Sequence, residues 1–182
     1  MAQEKEIQSS YFLTEVKADP LGRGEVDYVN IIQPGFLLPH FTIPDAFGKE
    51  FSLKKQIGKH HIILAFLHRV DCPCTRPLLE TLQQKLGEIQ ARHGLLIAVT
   101  VDYPRILTKL IREMQLEFPL LFDAQQTAIR LYTVFHRSSV RQEPHPALFL
   151  ADREGVIRHK EVSLEHADKL SLGVLLERLK EI

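Results

Sequence analysis

The sequence predicts an α/β domain built on a mixed central sheet, and three observations carry that expectation. Apolar runs at His61 to Leu67 and Leu95 to Val101 have the β-branched and aromatic content and the short length of buried strands. Each is followed by apolar residues at helical spacing, the alternation that builds a parallel sheet. Later, Ala147 to Leu150 and Val156 to Lys160 flank Asp152-Arg153-Glu154-Gly155, a hairpin pattern that adds antiparallel strands.

The elements follow in order. Residues 1–33 read as an N-terminal extension. Tyr11 to Val16 and Val26 to Ile32 have strand character on either side of a turn at Asp19-Pro20-Leu21-Gly22. Pro34-Gly35 punctuates the boundary with a main domain at 34–182. Such a hairpin has too little apolar surface to fold alone, so it is expected to pack on the domain or on a second copy in a homodimer. Phe36 to Pro44 is extended, Ala46 to Lys49 a turn and Phe51 to Leu53 a further extended piece. The strand at His61 to Leu67 is apolar throughout and is expected at the sheet centre, between Leu95 to Val101 and Ala147 to Leu150. Leu78, Leu79, Leu82, Leu86 and Ile89 mark a helix from Leu78 to Arg92, ended by His93-Gly94. Asp102 or Tyr103 caps a second helix, with Pro104 in its first turn, running to about Leu116. A short strand at Pro119 to Phe122, a helix at Ala124 to Tyr132 and a closing helix at Ala167 to Leu179 complete the pattern.

Charge excludes some classes of function. Lys plus Arg total 23 and Asp plus Glu total 23, so no net field draws the chain to nucleic acid. No apolar run approaches a membrane span, and the start lacks the pattern of a signal peptide. The expectation is a soluble, cytoplasmic protein. Two cysteines form no disulfide framework, and a reducing compartment makes a reactive role the more plausible one.

Both cysteines lie in Asp71-Cys72-Pro73-Cys74-Thr75-Arg76-Pro77, between the first buried strand and the first helix. The free N–H groups and positive dipole end of a helix start favour thiolate over thiol, and the thiolate is the nucleophile. Cys72 is the candidate nucleophile, with Arg69 and Arg76 nearby in sequence. Asp71 opposes them, since a neighbouring negative charge raises a thiol pKa. Cys74 is a candidate resolving thiol, because Cα atoms two residues apart can fall within disulfide range. Pro77 leaves the order of roles open: a helix start nearer Cys74 would place Pro77 harmlessly in the first turn and give Cys74 the better dipole. His68 is a candidate to tune the thiol or to act as a base. Cys72, Cys74 and a histidine also make a weak metal-ligand pattern, since two thiols in one turn rarely hold zinc. His60, His61 and His159 read as surface positions.

The chain resembles the thioredoxin superfamily and, within it, the peroxiredoxin-like branch of alkyl hydroperoxide reductase and thiol-specific antioxidant type. Leu38-Pro39-His40-Phe41-Thr42-Ile43-Pro44-Asp45 is similar to that family's opening pattern. Phe47 to Leu53 is similar to its Gly-x-x-x-Ser-Leu, Ile63 to Pro73 to the strand leading into the reactive cysteine, and Phe149 to Arg158 to its Phe-x-Ile-Asp-x-x-Gly hairpin. The resemblance covers about residues 36–180. It implies a thioredoxin-like fold and, as function, peroxide reduction through a cysteine sulfenic acid, with an external thiol as reductant and no cofactor or metal. It also implies a cis bond at His145–Pro146, with Pro146 facing the reactive cysteine. The chain departs from the family in three places. Ala65 and Arg69 stand where the family carries Pro and Thr, and the arginine expected before the Ala147 strand is replaced around Pro146. Arg76 matches the arginine of related Cys-Pro-x-Cys-Arg sequences, whereas Cys74 falls one residue before their second cysteine. These departures keep two alternatives open: a thiol–disulfide oxidoreductase without peroxidase activity, and a binding domain that has lost the chemistry.

Overall fold

The computed structural model describes residues 32–135, 144–164, 167 and 170–182. The expected hairpin at 11–32 falls outside these residues except for Ile32, which is buried in the core.

The five-stranded mixed sheet forms as expected. Its strands are β3 (His61–Phe66), β4 (Gly94–Thr100), β5 (Leu120–Phe122), β6 (Ala147–Ala151) and β7 (Ile157–Val162), in the order β5-β4-β3-β6-β7. A separate antiparallel pair, β1 (Thr42–Pro44) and β2 (Glu50–Ser52), precedes it. β3 is the central strand, parallel to β4 and antiparallel to β6. Every residue of β3 is buried, because helices and loops cover both sheet faces. Alternate side chains supply two cores. Ile63, Ala65 and Leu67 pack with the helices α1 (Thr75–Ala91), α2 (Pro104–Met114) and α4 (Leu172–Lys180). Ile62, Leu64 and Phe66 pack on the other face with α3 (Thr127–Leu131) and with Leu38, Phe41 and Ile43. The second core is organised around Tyr132, whose ring packs tilted against Phe66 and edge-on against Phe149 and whose hydroxyl donates to the Pro39 carbonyl at 2.9 Å.

Three helix starts differ from the sequence expectation, each for a local reason. α1 starts at Thr75 rather than Leu78; Pro77 sits in its first turn, where no intrahelical N–H is needed. α3 starts at Thr127 rather than Ala124. Gln126 is left-handed at φ 56°, and the buried Asp123 carboxylate accepts from the N–H groups of Thr127 and Ile129 at 2.7 and 2.9 Å. α4 starts at Leu172 rather than Ala167, with the Ser171 hydroxyl accepting from the Val174 N–H. Two histidines also differ from the surface reading. His61 is only 8% exposed, as the first residue of the central strand, and the His159 side chain is 16% exposed, 3.1 Å from the Glu161 carboxylate.

The passage from α1 to β4 is tight. His93 turns the chain with φ 56°, and Gly94 opens β4 against the end of the helix. A Cβ at Gly94 would lie 2.7 Å from Ile89 Cγ2 and 2.9 Å from the Ile89 carbonyl oxygen. Gly94→Ala is therefore expected to destabilise the domain by about 1–3 kcal/mol. Urea unfolding of the two proteins measures it, and coincident midpoints would contradict the packing described.

Candidate active site

The chain leaves β3 at Phe66, and Leu67 still donates to the Val99 carbonyl at 2.9 Å. From there to Thr75 it is a succession of turns. The Cys72 N–H donates to the Arg69 carbonyl at 3.0 Å and the Thr75 N–H to the Cys72 carbonyl at 3.1 Å. Two side chains fasten this loop. The Thr75 hydroxyl, fully buried, donates to the Arg69 carbonyl at 2.7 Å. The Val70 N–H donates to the Asp102 carboxylate at 2.9 Å.

Cys72 and Cys74 are joined as a disulfide with their Cα atoms 5.3 Å apart. Both are half-buried. Cys74 is the N-cap residue of α1, and its N–H donates to Cys72 Sγ at 3.4 Å. One thiol thus occupies the helix cap while the other receives a backbone donor. The Cys74 side chain makes no cap bond, so the donor that would favour a sulfur anion after reduction is the one on Cys72 Sγ. The pair opens into a cavity of about 690 Å³ whose opposite wall includes Leu170, Ser171 and Leu172 at the start of α4. Among the described residues lining it, none is charged.

The structure gives each expected arginine a carboxylate partner. Arg69 meets Asp71 through two bonds of 3.0 Å. The Asp71 charge that opposes a thiolate is therefore matched within the loop. Arg76 Nη2 lies 2.9 Å from Glu113 Oε2, joining the first turn of α1 to α2. Lys109 approaches the same carboxylate at 3.6 Å. The Arg76 hydrogen bond is the main reason that the Glu113 pKa lies below its ordinary value. His68 is half-buried at the start of the loop.

Pro146 corrects the expectation of a cis bond: the His145–Pro146 peptide is trans. Its carbonyl accepts from the Ser163 N–H at 2.8 Å, and the residue is absent from the cavity lining. The proline's carbonyl is thus engaged by the residue that follows β7.

Sequence reasoning missed Asp102 and Thr75. Asp102 reads as a possible helix cap, but Tyr103 is the cap of α2 and the Asp102 side chain turns to the cysteine loop. The only signal in the sequence is an acidic residue one position past an apolar strand. Among the described residues, no three His, Cys, Asp or Glu side chains converge as metal ligands.

A cysteine pair at a strand-to-helix turn, beside the central strand of this sheet, defines a thiol redox protein. Comparison with known sequences places it further: the chain belongs to the AhpC/TSA family, which it matches over residues 34–160. Peroxiredoxin Bcp of Escherichia coli (strain K12) is 22% identical over 135 residues, which cover 72% of this chain and 86% of that protein. The crystal structure of peroxidoxin BcpB from Mycobacterium tuberculosis superposes with a TM-score of 0.74 at 19% identity, covering 83% of this chain and 98% of that one. Thiol peroxidase from Chromobacterium violaceum gives a TM-score of 0.71 at 23% identity, covering 82% and 87%. The fold is thioredoxin-like, as the resemblance implied, and the chain is a cysteine-based redox protein of peroxiredoxin type.

The Arg76–Glu113 bridge has a pH dependence of fixed sign. A carboxyl whose folded pKa is depressed contributes stability that is full above its unfolded pKa and lost as pH falls through the folded value. Carboxyl NMR of Glu113 is expected to titrate below the ordinary value of 4.5 and to rise toward it in Arg76→Ala. An unchanged midpoint in the variant would show that Arg76 is not the cause.

Proposed function

We propose that this protein is a thiol-dependent peroxidase in which both redox sulfurs belong to one loop. The Cys72 thiolate attacks a peroxide oxygen, the O–O bond breaks, and the departing oxygen leaves as an alcohol or water after taking a proton. Cys72 is left as a sulfenic acid. The Cys74 thiolate attacks that sulfur, hydroxide leaves and is protonated to water, and the Cys72–Cys74 disulfide forms. Two equivalents of an external thiol then reduce it, becoming a disulfide themselves. The observation that carries this reading is the disulfide itself, at the helix cap with the Cys74 N–H on Cys72 Sγ.

Arg69 and Arg76 are assigned to holding the thiolate and the developing charge. Their present ion pairs are solvent-exposed, and such pairs contribute about 0–1 kcal/mol, little enough for a guanidinium to exchange Asp71 or Glu113 for a sulfur anion. His68 is assigned to tuning the thiol from the loop start. An external thiol supply suits the cytoplasm, and residues 1–33 are assigned to a hairpin that packs on the domain or joins two copies as a homodimer.

A second reading, thiol–disulfide exchange without peroxide chemistry, uses the same disulfide, and one assay separates the two. Peroxide consumption with an excess of dithiothreitol is expected for the wild type and absent in Cys72→Ser. Pre-reduced Cys74→Ser from which the dithiothreitol has been removed is expected to consume one equivalent and accumulate a sulfenic acid that dimedone captures. Wild-type protein that exchanges disulfides but consumes no peroxide would select the second reading. Full activity in Cys72→Ser would reverse the roles of the two cysteines.

A further inference from the structure

Asp102 is buried, 6% exposed, one residue before the cap of α2. A carboxylate there loses its water and needs specific compensation. The structure supplies it from two directions. Asp102 Oδ2 accepts from the Thr100 hydroxyl at 2.8 Å, while the Asp102 N–H donates to the same hydroxyl oxygen at 3.3 Å. The same Oδ2 accepts from the Val70 N–H at 2.9 Å. The positive end of α2 begins at the next residue. The carboxylate is thus fixed on the rigid end of β4 and reaches across to a loop amide two residues before Cys72. Beyond that amide, the Thr75 hydroxyl holds the Arg69 carbonyl from the first turn of α1. The loop is therefore fastened by side chains at Arg69 and Val70, immediately before the turns that carry the two sulfurs.

We propose that Asp102 is a positioning residue for the Cys72–Cys74 pair: by holding the Val70 N–H it keeps the reduced loop near its disulfide conformation and raises the effective concentration of one thiol at the other. Closing a ring from a restrained loop gives up less freedom than closing it from a loose one. The inference concerns the ring closure that the peroxidase reading needs, and so rests on that reading for its place in the cycle. The closure itself can be measured without peroxide.

The test equilibrates reduced protein with glutathione disulfide. Each protein dithiol gives up two electrons and two protons and becomes the Cys72–Cys74 disulfide, while one glutathione disulfide becomes two glutathione thiols. Acid quenching, alkylation and mass spectrometry give the equilibrium constant. Asp102→Ala is expected to lower it about tenfold, through the effective concentration that is lost when the reduced loop is released. Asp102→Asn keeps an oxygen that can take both donors and is expected within about twofold of wild type on the same scale. A role in folding alone would lower the melting temperature of Asp102→Ala and leave the constant of the folded protein unchanged. That result overturns the proposal, as does an Asp102→Asn that falls as far as Asp102→Ala. Should Asp102→Ala fail to fold, Thr100→Val keeps the carboxylate and removes the hydroxyl that donates to it and accepts from the Asp102 N–H. A smaller fall in the constant then supports the proposal and an unchanged one overturns it. A wild type that consumes no peroxide but shows this ordering would end the peroxidase reading and leave the positioning role standing.

Discussion

The structure depends on the burial of β3 on both faces from His61 to Leu67. Backbone amides there cannot reach water, so a strand must pair on each side, and β4 and β6 do so. Its side chains alternate between two cores, which seats α1 and α4 on one face and α3 on the other. Because β4 runs parallel to β3, their carboxyl ends lie side by side. The loop leaving β3 and the residues just past β4 are neighbours for that reason alone. The cysteines are in the first and Asp102 is in the second.

That geometry separates two tasks. Charge in the neighbourhood is organised into exposed pairs, Arg69 with Asp71 and Arg76 with Glu113, which cost little to rearrange. Position is organised by buried contacts, the Asp102 carboxylate and the Thr75 hydroxyl, which are costly to break. A redox loop needs both properties: a fixed path for the sulfurs and mobile charge to follow the electrons. The adjoining cavity is lined, among the described residues, by uncharged side chains including Thr81 and Ser171.

How much of this was legible in the sequence follows from how local each cause is. The sheet order around β3 could be read, because burial on both faces is written as an unbroken apolar run. The location of the site could be read, because both cysteines fall at one strand-to-helix turn. Helix starts were misjudged where a side chain decides them: Asp123 captures the amides that open α3, and Ser171 caps α4 late. The partner of Arg76 is far away in the chain, at Glu113, and no spacing rule reaches it. Asp102 was visible but read only as one of two possible caps beside Tyr103, since its role depends on a loop that only the parallel pairing of β3 and β4 brings near. The cis proline was an inference from resemblance. Here Pro146 is trans, with its carbonyl on Ser163.

The central claim is that one loop holds both sulfurs of the catalytic cycle. Intact-mass spectrometry of fully reduced protein mixed with one equivalent of peroxide and quenched with acid tests it directly. The account predicts a monomer lighter by two hydrogen atoms, with peptide mapping placing the new bond between Cys72 and Cys74. A monomer that instead retains an added oxygen, or a dimer linked through these cysteines, would contradict it.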